Sequence, residues 1–155
     1  MDFRISGLPV APFAPLFGLG DAELAARSIR RYVAAPDSQM PCRVSMVEAA
    51  PGEAVLLLPY EHQPAASPYR AAGPIYVREA AREAAIGVNA VPDLVRKRLL
   101  SVRAYDEAGM MLDADVAEGA ELEALVDRLF AVKGVVYLHA HNARRGCYSC
   151  RIDRA

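Results

Sequence analysis

At 155 residues the chain has the length of one domain, enough for folding to bury about 70% of the surface its unfolded form exposes. Hydrophobic residues at 54% and charged ones at 24% exclude a disordered chain, whose signature is low hydrophobicity with high net charge. The 18 Lys and Arg against 19 Asp and Glu leave a net charge of −1, which gives no general pull towards nucleic acid or an anionic membrane.

In chain order, Phe3 and Ile5 predict a first strand, and Pro9, Pro12 and Pro15 forbid regular structure until Leu16. Asp21, with Glu23 behind it, predicts a short helix to Arg27 capped by Asp21. Residues 28–34 suit either a continuation of that helix or a strand. Over residues 41–46, Cys42, Val44 and Met46 alternate with Arg43 and Ser45, the period of a half-buried strand. After the Pro51-Gly52 turn, the apolar run through Leu56, Leu57 and Leu58 to Tyr60 predicts a central strand covered on both faces. Residues 61–74 then read as a long loop ahead of a strand at 75–79.

Residues 80–90 carry a weak helical pattern, and Pro92-Asp93 marks a helix start. Leu100, Val102 and Ala104, then Met111 to Val116, flank Asp106-Glu107-Ala108-Gly109, a hairpin signal. The clearest element follows Gly119: Leu122, Leu125, Val126, Leu129 and Phe130 form one helical stripe, with glutamates at its start, Arg128 and Lys133 at its end and Gly134 placed to stop it. Two last strands are joined by a turn at 142–146. Strands outnumber helices and hairpin signals dominate. The expected fold is therefore α+β: a mostly antiparallel sheet, one principal C-terminal-half helix packed on it and one or two short helices, in a single domain over 1–155.

The N-terminus has no basic start, long apolar run or small-residue cleavage site. The longest apolar run, 54–59, falls well short of the roughly 20 residues a bilayer needs. A cytoplasmic protein with no membrane partner is expected, its Cys42, Cys147 and Cys150 present as thiols.

The segments Pro41-Cys42-Arg43-Val44-Ser45, Leu56-Leu57-Leu58-Pro59-Tyr60-Glu61-His62, Ser67-Pro68-Tyr69-Arg70, Gly73-Pro74-Ile75-Tyr76-Val77-Arg78 and His139-Ala140-His141-Asn142-Ala143-Arg144-Arg145-Gly146-Cys147-Tyr148 resemble the bacterial family called domain of unknown function 1203 (DUF1203). The resemblance spans nearly the whole chain. It implies a single full-length domain and assigns no activity and no catalytic residue.

Two of the three histidines, His139 and His141, and two of the three cysteines, Cys147 and Cys150, fall in one C-terminal block. Strand alternation sets Tyr137, His139 and His141 on one face, and Val136, Leu138 and Ala140 on the other, which is expected to meet the core. With a turn at 142–146, Cys147 falls opposite His141, Ser149 opposite His139 and Arg151 opposite Tyr137, while Tyr148, Cys150 and Ile152 point to the core. On that register the two cysteines cannot chelate together, and His139, His141 and Cys147 remain as metal candidates. Cys42 and Cys150 are expected to be buried and Cys147 reactive.

The candidates for binding a ligand are His62 at the end of the central strand, His139, His141 and Asn142, with Arg78, Arg144 and Arg151 as forked cations for a carboxylate or phosphate. No glycine-rich phosphate loop, Gly-x-Ser-x-Gly elbow or His-Glu-x-x-His motif occurs, so catalytic residues and cofactor are left unassigned. One reading is a small anionic ligand or metal held at the His/Arg-rich face of the terminal hairpin. The alternative is a noncatalytic interaction module or homodimer using the same face, which suits an aromatic, Arg-rich and Lys-poor surface. Both readings have the two histidines facing outward, so that replacing them spares stability.

Overall fold

A computed structural model describes all residues, 1–155. Its strands are β1 (Phe3–Ser6), β2 (Arg30–Val33), β3 (Ala54–Gln63), β4 (Ala71–Arg78), β5 (Leu99–Tyr105), β6 (Met111–Glu118), β7 (Tyr137–Asn142) and β8 (Tyr148–Arg154). Its helices are α1 (Asp21–Ala26), α2 (Asp93–Arg96) and α3 (Leu122–Phe130). This is an α+β fold with a five-stranded sheet in the order β1-β8-β7-β5-β6 and a three-stranded sheet in the order β2-β3-β4. No helix is long and apolar enough to cross a membrane. The chain divides into two compact units, one of Met1–Ser6, Glu61–Gly73 and Ala85–Ala155, the other of Gly7–Tyr60 and Pro74–Ala84.

The first unit holds the five-stranded sheet, in which every pairing is antiparallel. Cross-strand partners share a face, so register assigns the residues. Leu138 pairs with Ala104 and Ile152, and Ala140 with Val102 and Cys150. All six of these side chains are fully buried. Arg128 of α3 reaches Asp113 and Asp115, the partners of Ala104 and Val102, and Arg154 lies over the Phe130 ring. These contacts set α3 against that apolar face, with its whole stripe of Leu122, Leu125, Val126, Leu129 and Phe130 buried as the spacing predicts. Val136, assigned to the core by alternation, is instead 46% exposed, because it precedes β7 in the connection from α3.

The outer edge of this sheet is chemically blunted. On β6, the Asp113 carboxylate accepts from the Ala114 N–H and that of Asp115 from the Val116 N–H, both at 2.8 Å, which occupies donors that a further strand would need.

The second unit is built around β2, β3 as far as Tyr60, and β4 from Pro74. Ala34, Ala49 and Val55 form a buried cluster with Met40 and Tyr76 against it. Residues 28–34 resolve into β2, and the cap of α1 is Gly20 rather than Asp21, with the Glu23 carboxylate accepting from the Gly20 N–H at 3.1 Å. Residues 41–46 do not form the expected strand. The chain closes into a tight loop in which Cys42 N–H donates to Val47 O and Met46 N–H to Cys42 O, and Met46 takes a left-handed φ of 54°. Cys42, Val44 and Met46 are buried, so the alternation marked burial and not strand geometry.

The long loop expected at 61–74 also contracts. β3 continues to Gln63 and β4 starts at Ala71, with Pro74 tolerated because β4 is an edge strand. The weak pattern at 80–90 gives turns and irregular chain, and no helix.

Candidate functional site

The second face of the five-stranded sheet carries the unit's unusual chemistry. On β7, Tyr137, His139 and His141 alternate with Leu138 and Ala140, as the sequence dictates. Their partners complete three rows across β5, β7 and β8: Ser101, His141 and Tyr148; Arg103, His139 and Arg151; Tyr105, Tyr137 and Asp153. The middle row sets a guanidinium on each side of one imidazole.

The hairpin register differs from expectation at two places: the turn is one residue shorter, with Asn142 already paired to Cys147, and one further residue is inserted in β8. Ala140 pairs with Cys150 but His141 with Tyr148, so Ser149 is a bulge. The shorter turn sets Tyr148 on the histidine face, and the bulge returns Cys150 to the face under α3. Together they set Arg151 opposite His139 instead of Tyr137, and the shorter turn pairs Cys147 with Asn142, whose N–H donates to the Cys147 carbonyl. The Asn142 amide Nδ2 lies 3.3 Å from Cys147 Sγ. Cys147 therefore faces away from His139 and His141. No three His, Cys, Asp or Glu side chains come together to hold a metal ion, so the candidate set His139, His141 and Cys147 is not assembled.

Nor does this face meet solvent as expected. His139 and His141 are 3% and 1% exposed, because the unit's segment Glu61–Gly73 lies over them. Gln63 Nε2 donates to the Tyr137 hydroxyl at 2.9 Å, Ser67 Oγ donates to the Gly109 carbonyl at 2.9 Å, and the Tyr69 ring meets Tyr105 edge-on. Gly109 is required here: it has φ +76°, and a Cβ would stand 2.3 Å from that of Ala65. Terminal-hairpin alternation alone could not reveal a cover supplied by residues some 70 positions earlier in the chain.

The rings form two stacked pairs with His139 between them. His62 stacks on Tyr148, centroids 5.5 Å apart, and Tyr105 on Tyr137 at 5.4 Å. His139 is tilted or edge-on to Tyr105, Tyr137 and Tyr148 at 5.2 to 5.3 Å. His62 lies 4.9 Å from His141 and 6.3 Å from His139. The Nδ1 atoms of His62 and His139 are buried without a hydrogen-bond partner, an arrangement native proteins rarely keep without a reason. The His141 ring is fixed by Nδ1 at 3.1 Å from the Gly146 carbonyl; donation there leaves Nε2 as the basic nitrogen.

Electrostatics holds the central ring, His139, neutral. Burial, reinforced by His141, Arg151, His62 and Arg103, pushes His139 down to about 3. Burial, then Arg103, also lowers His62, and burial raises Tyr105. The charge on the face thus comes from the arginines. Arg151 lies over Tyr137 at 4.0 Å and donates through Nε to both oxygens of Asp153 at 2.9 Å. Arg103 forms no salt bridge, whereas Arg70, Arg96, Arg128 and Arg151 each hold a carboxylate.

Of the residues singled out from sequence, His62, His139, His141 and Arg151 come together. Asn142 pairs with Leu100 on the other face, Arg144 is exposed in the turn, and Arg78 belongs to the second unit, where it is forked onto Glu53. Sequence reasoning missed Arg103, Tyr105, Tyr137 and Tyr148 as members of one cluster. The signal for the first two was present in β5, where Ser101, Arg103 and Tyr105 alternate with buried Leu100, Val102 and Ala104; the pairing of β5 with β7 was not.

No curated protein and no solved structure matches the chain. A family model described as Protein of unknown function (DUF1203) matches residues 39–154, a span that includes β7, β8, His62 and Arg103, and the chain belongs to that family.

Proposed function

We propose that the chain binds a small anion on the histidine face of its five-stranded sheet. The observation that carries this reading is the row Arg103, His139 and Arg151, three basic side chains in register on adjacent strands. Like charges directly opposite one another destabilise a sheet, and here the central imidazole loses its proton as a result of burial and its cationic neighbours. An anion above the row relieves the remaining repulsion. Its oxygens gain charge-assisted bonds from Arg103, which has no carboxylate partner, and a neutral imidazole can donate from whichever ring nitrogen carries its proton. A divalent metal ion is a poor fit, since the same two guanidiniums repel it.

The test is thermal denaturation of the wild type and Arg103→Ala in low-chloride buffer with acetate, sulfate or inorganic phosphate added. Binding to the folded state alone raises apparent stability by mass action. A concentration-dependent rise in midpoint is expected in the wild type and its loss in Arg103→Ala. Equal responses from both proteins, or none from either, would overturn the reading.

A further inference from the structure

We infer that Asp153 makes this face selective for singly charged anions, carboxylates foremost, over doubly charged ones; the inference rests on the anion-binding reading above. Two residues along β8 from Arg151, Asp153 shares its face and accepts from Arg151 Nε at 2.9 Å and from Nη2 at 2.8 Å. With Tyr137 under the guanidinium, this grip fixes the direction in which Arg151 presents its remaining N–H groups. It also cancels the Arg151 charge.

Of the two cations flanking His139, only Arg103 is left uncompensated, and His139 itself is neutral. Glu61, on the covering segment, is matched by Arg70 at 2.5 Å. Arg4, the cross-strand partner of Asp153 on β1, is exposed, and solvent screens it from the row. The row therefore offers close to one net positive charge. A monocarboxylate neutralises that charge, whereas sulfate or a phosphate dianion leaves an excess negative charge beside Asp153. Selectivity of this kind depends on a repulsive element as much as an attractive one, and Asp153 is that element.

Asp153 is a positioning and specificity residue, so the readout is a ratio of affinities and not binding alone. Acetate and sulfate are titrated at matched ionic strength into the wild type, Asp153→Asn and Arg103→Ala, with melting curves confirming that each is folded; Asp153→Ser replaces the Asn variant if that one does not fold. The wild type is expected to favour acetate. The Asp153 variant is expected to move the ratio towards sulfate by about tenfold, the scale of one partly screened charge at close range. An unchanged ratio, or a wild type that prefers sulfate, overturns this inference and leaves the anion reading standing. Absence of any Arg103-dependent binding overturns both.

Discussion

The two faces of the five-stranded sheet are buried to a similar degree by opposite means. Beneath α3, Leu138, Ala140, Val102, Ala104, Cys150 and Ile152 are fully buried, and close packing of apolar groups is sufficient explanation for the face. Across the sheet, Tyr105, Tyr137, His139, His141 and Tyr148 are nearly as inaccessible, yet they are polar rings beside two arginines, with the buried Nδ1 atoms of His139 and of the neighbouring His62 lacking partners. Burying such groups costs free energy that the apolar face does not lose. Equal burial therefore conceals unequal roles, and the costly face is where function is to be sought.

The faces should separate most widely in acid. His139 titrates at about 3 when folded against 6.5 as its ordinary value. Between those values the unfolded chain holds a proton that the folded chain does not, so stability is full above about pH 6.5 and is lost as pH falls towards 3. The whole window is worth up to about 5 kcal/mol, and His62, lowered for the same first cause, acts with the same sign. Denaturant unfolding at a series of pH values should show this slope in the wild type and a flatter one in His139→Gln between about pH 4.5 and 6.5. The variant controls for carboxylates such as Glu53 and Glu79, whose salt bridges hold them low and fail in acid too. Superimposable profiles would mean that the histidine face is not buried as described. The outward-facing histidines expected from strand alternation would have given no such slope.

On the opposite face the expected loss has no pH dependence. Leu129→Ala, at a fully buried position of α3, should cost about 2 to 5 kcal/mol through lost transfer and a residual cavity. The denaturant midpoint measures it at both pH 7 and pH 5. A cost that changed with pH would tie α3 to the titrating face and dissolve the contrast.

What the sequence revealed follows the range of the interactions. Local periodicity was enough for the α3 stripe, the β5–β6 hairpin and the division of β7 into two faces, because each depends on residues close in the chain. It failed where distant segments decide. Whether His139 meets water depends on Gln63 and Tyr69; whether it has charged neighbours depends on β5 pairing with β7. A turn one residue shorter than expected moved Cys147 and Tyr148 each to the other face, and the bulge at Ser149 brought Arg151 back to the histidine face, since side chains on a strand change face with every residue inserted.

That bulge can be tested by a measurement that leaves stability untouched. Cys42 and Cys150 are fully buried, while Cys147 is partly exposed at the mouth of the β7–β8 turn. Thiol reagents attack accessible thiolates and spare inert buried thiols, so the native protein should take up one label, at Cys147, and the other two only on unfolding. In Cys147→Ser, native labelling should vanish, which separates a protected Cys150 from one that merely reacts more slowly. Protection of Cys150 follows from its pairing with Ala140 beneath α3, while Tyr148, two residues earlier, turns to His141 on the other face. In a regular strand those two residues would share a side. If Cys150 labels as readily as Cys147, the bulge is absent, Arg151 turns to the face under α3, and the row of Arg103, His139 and Arg151 loses the register on which the anion site depends.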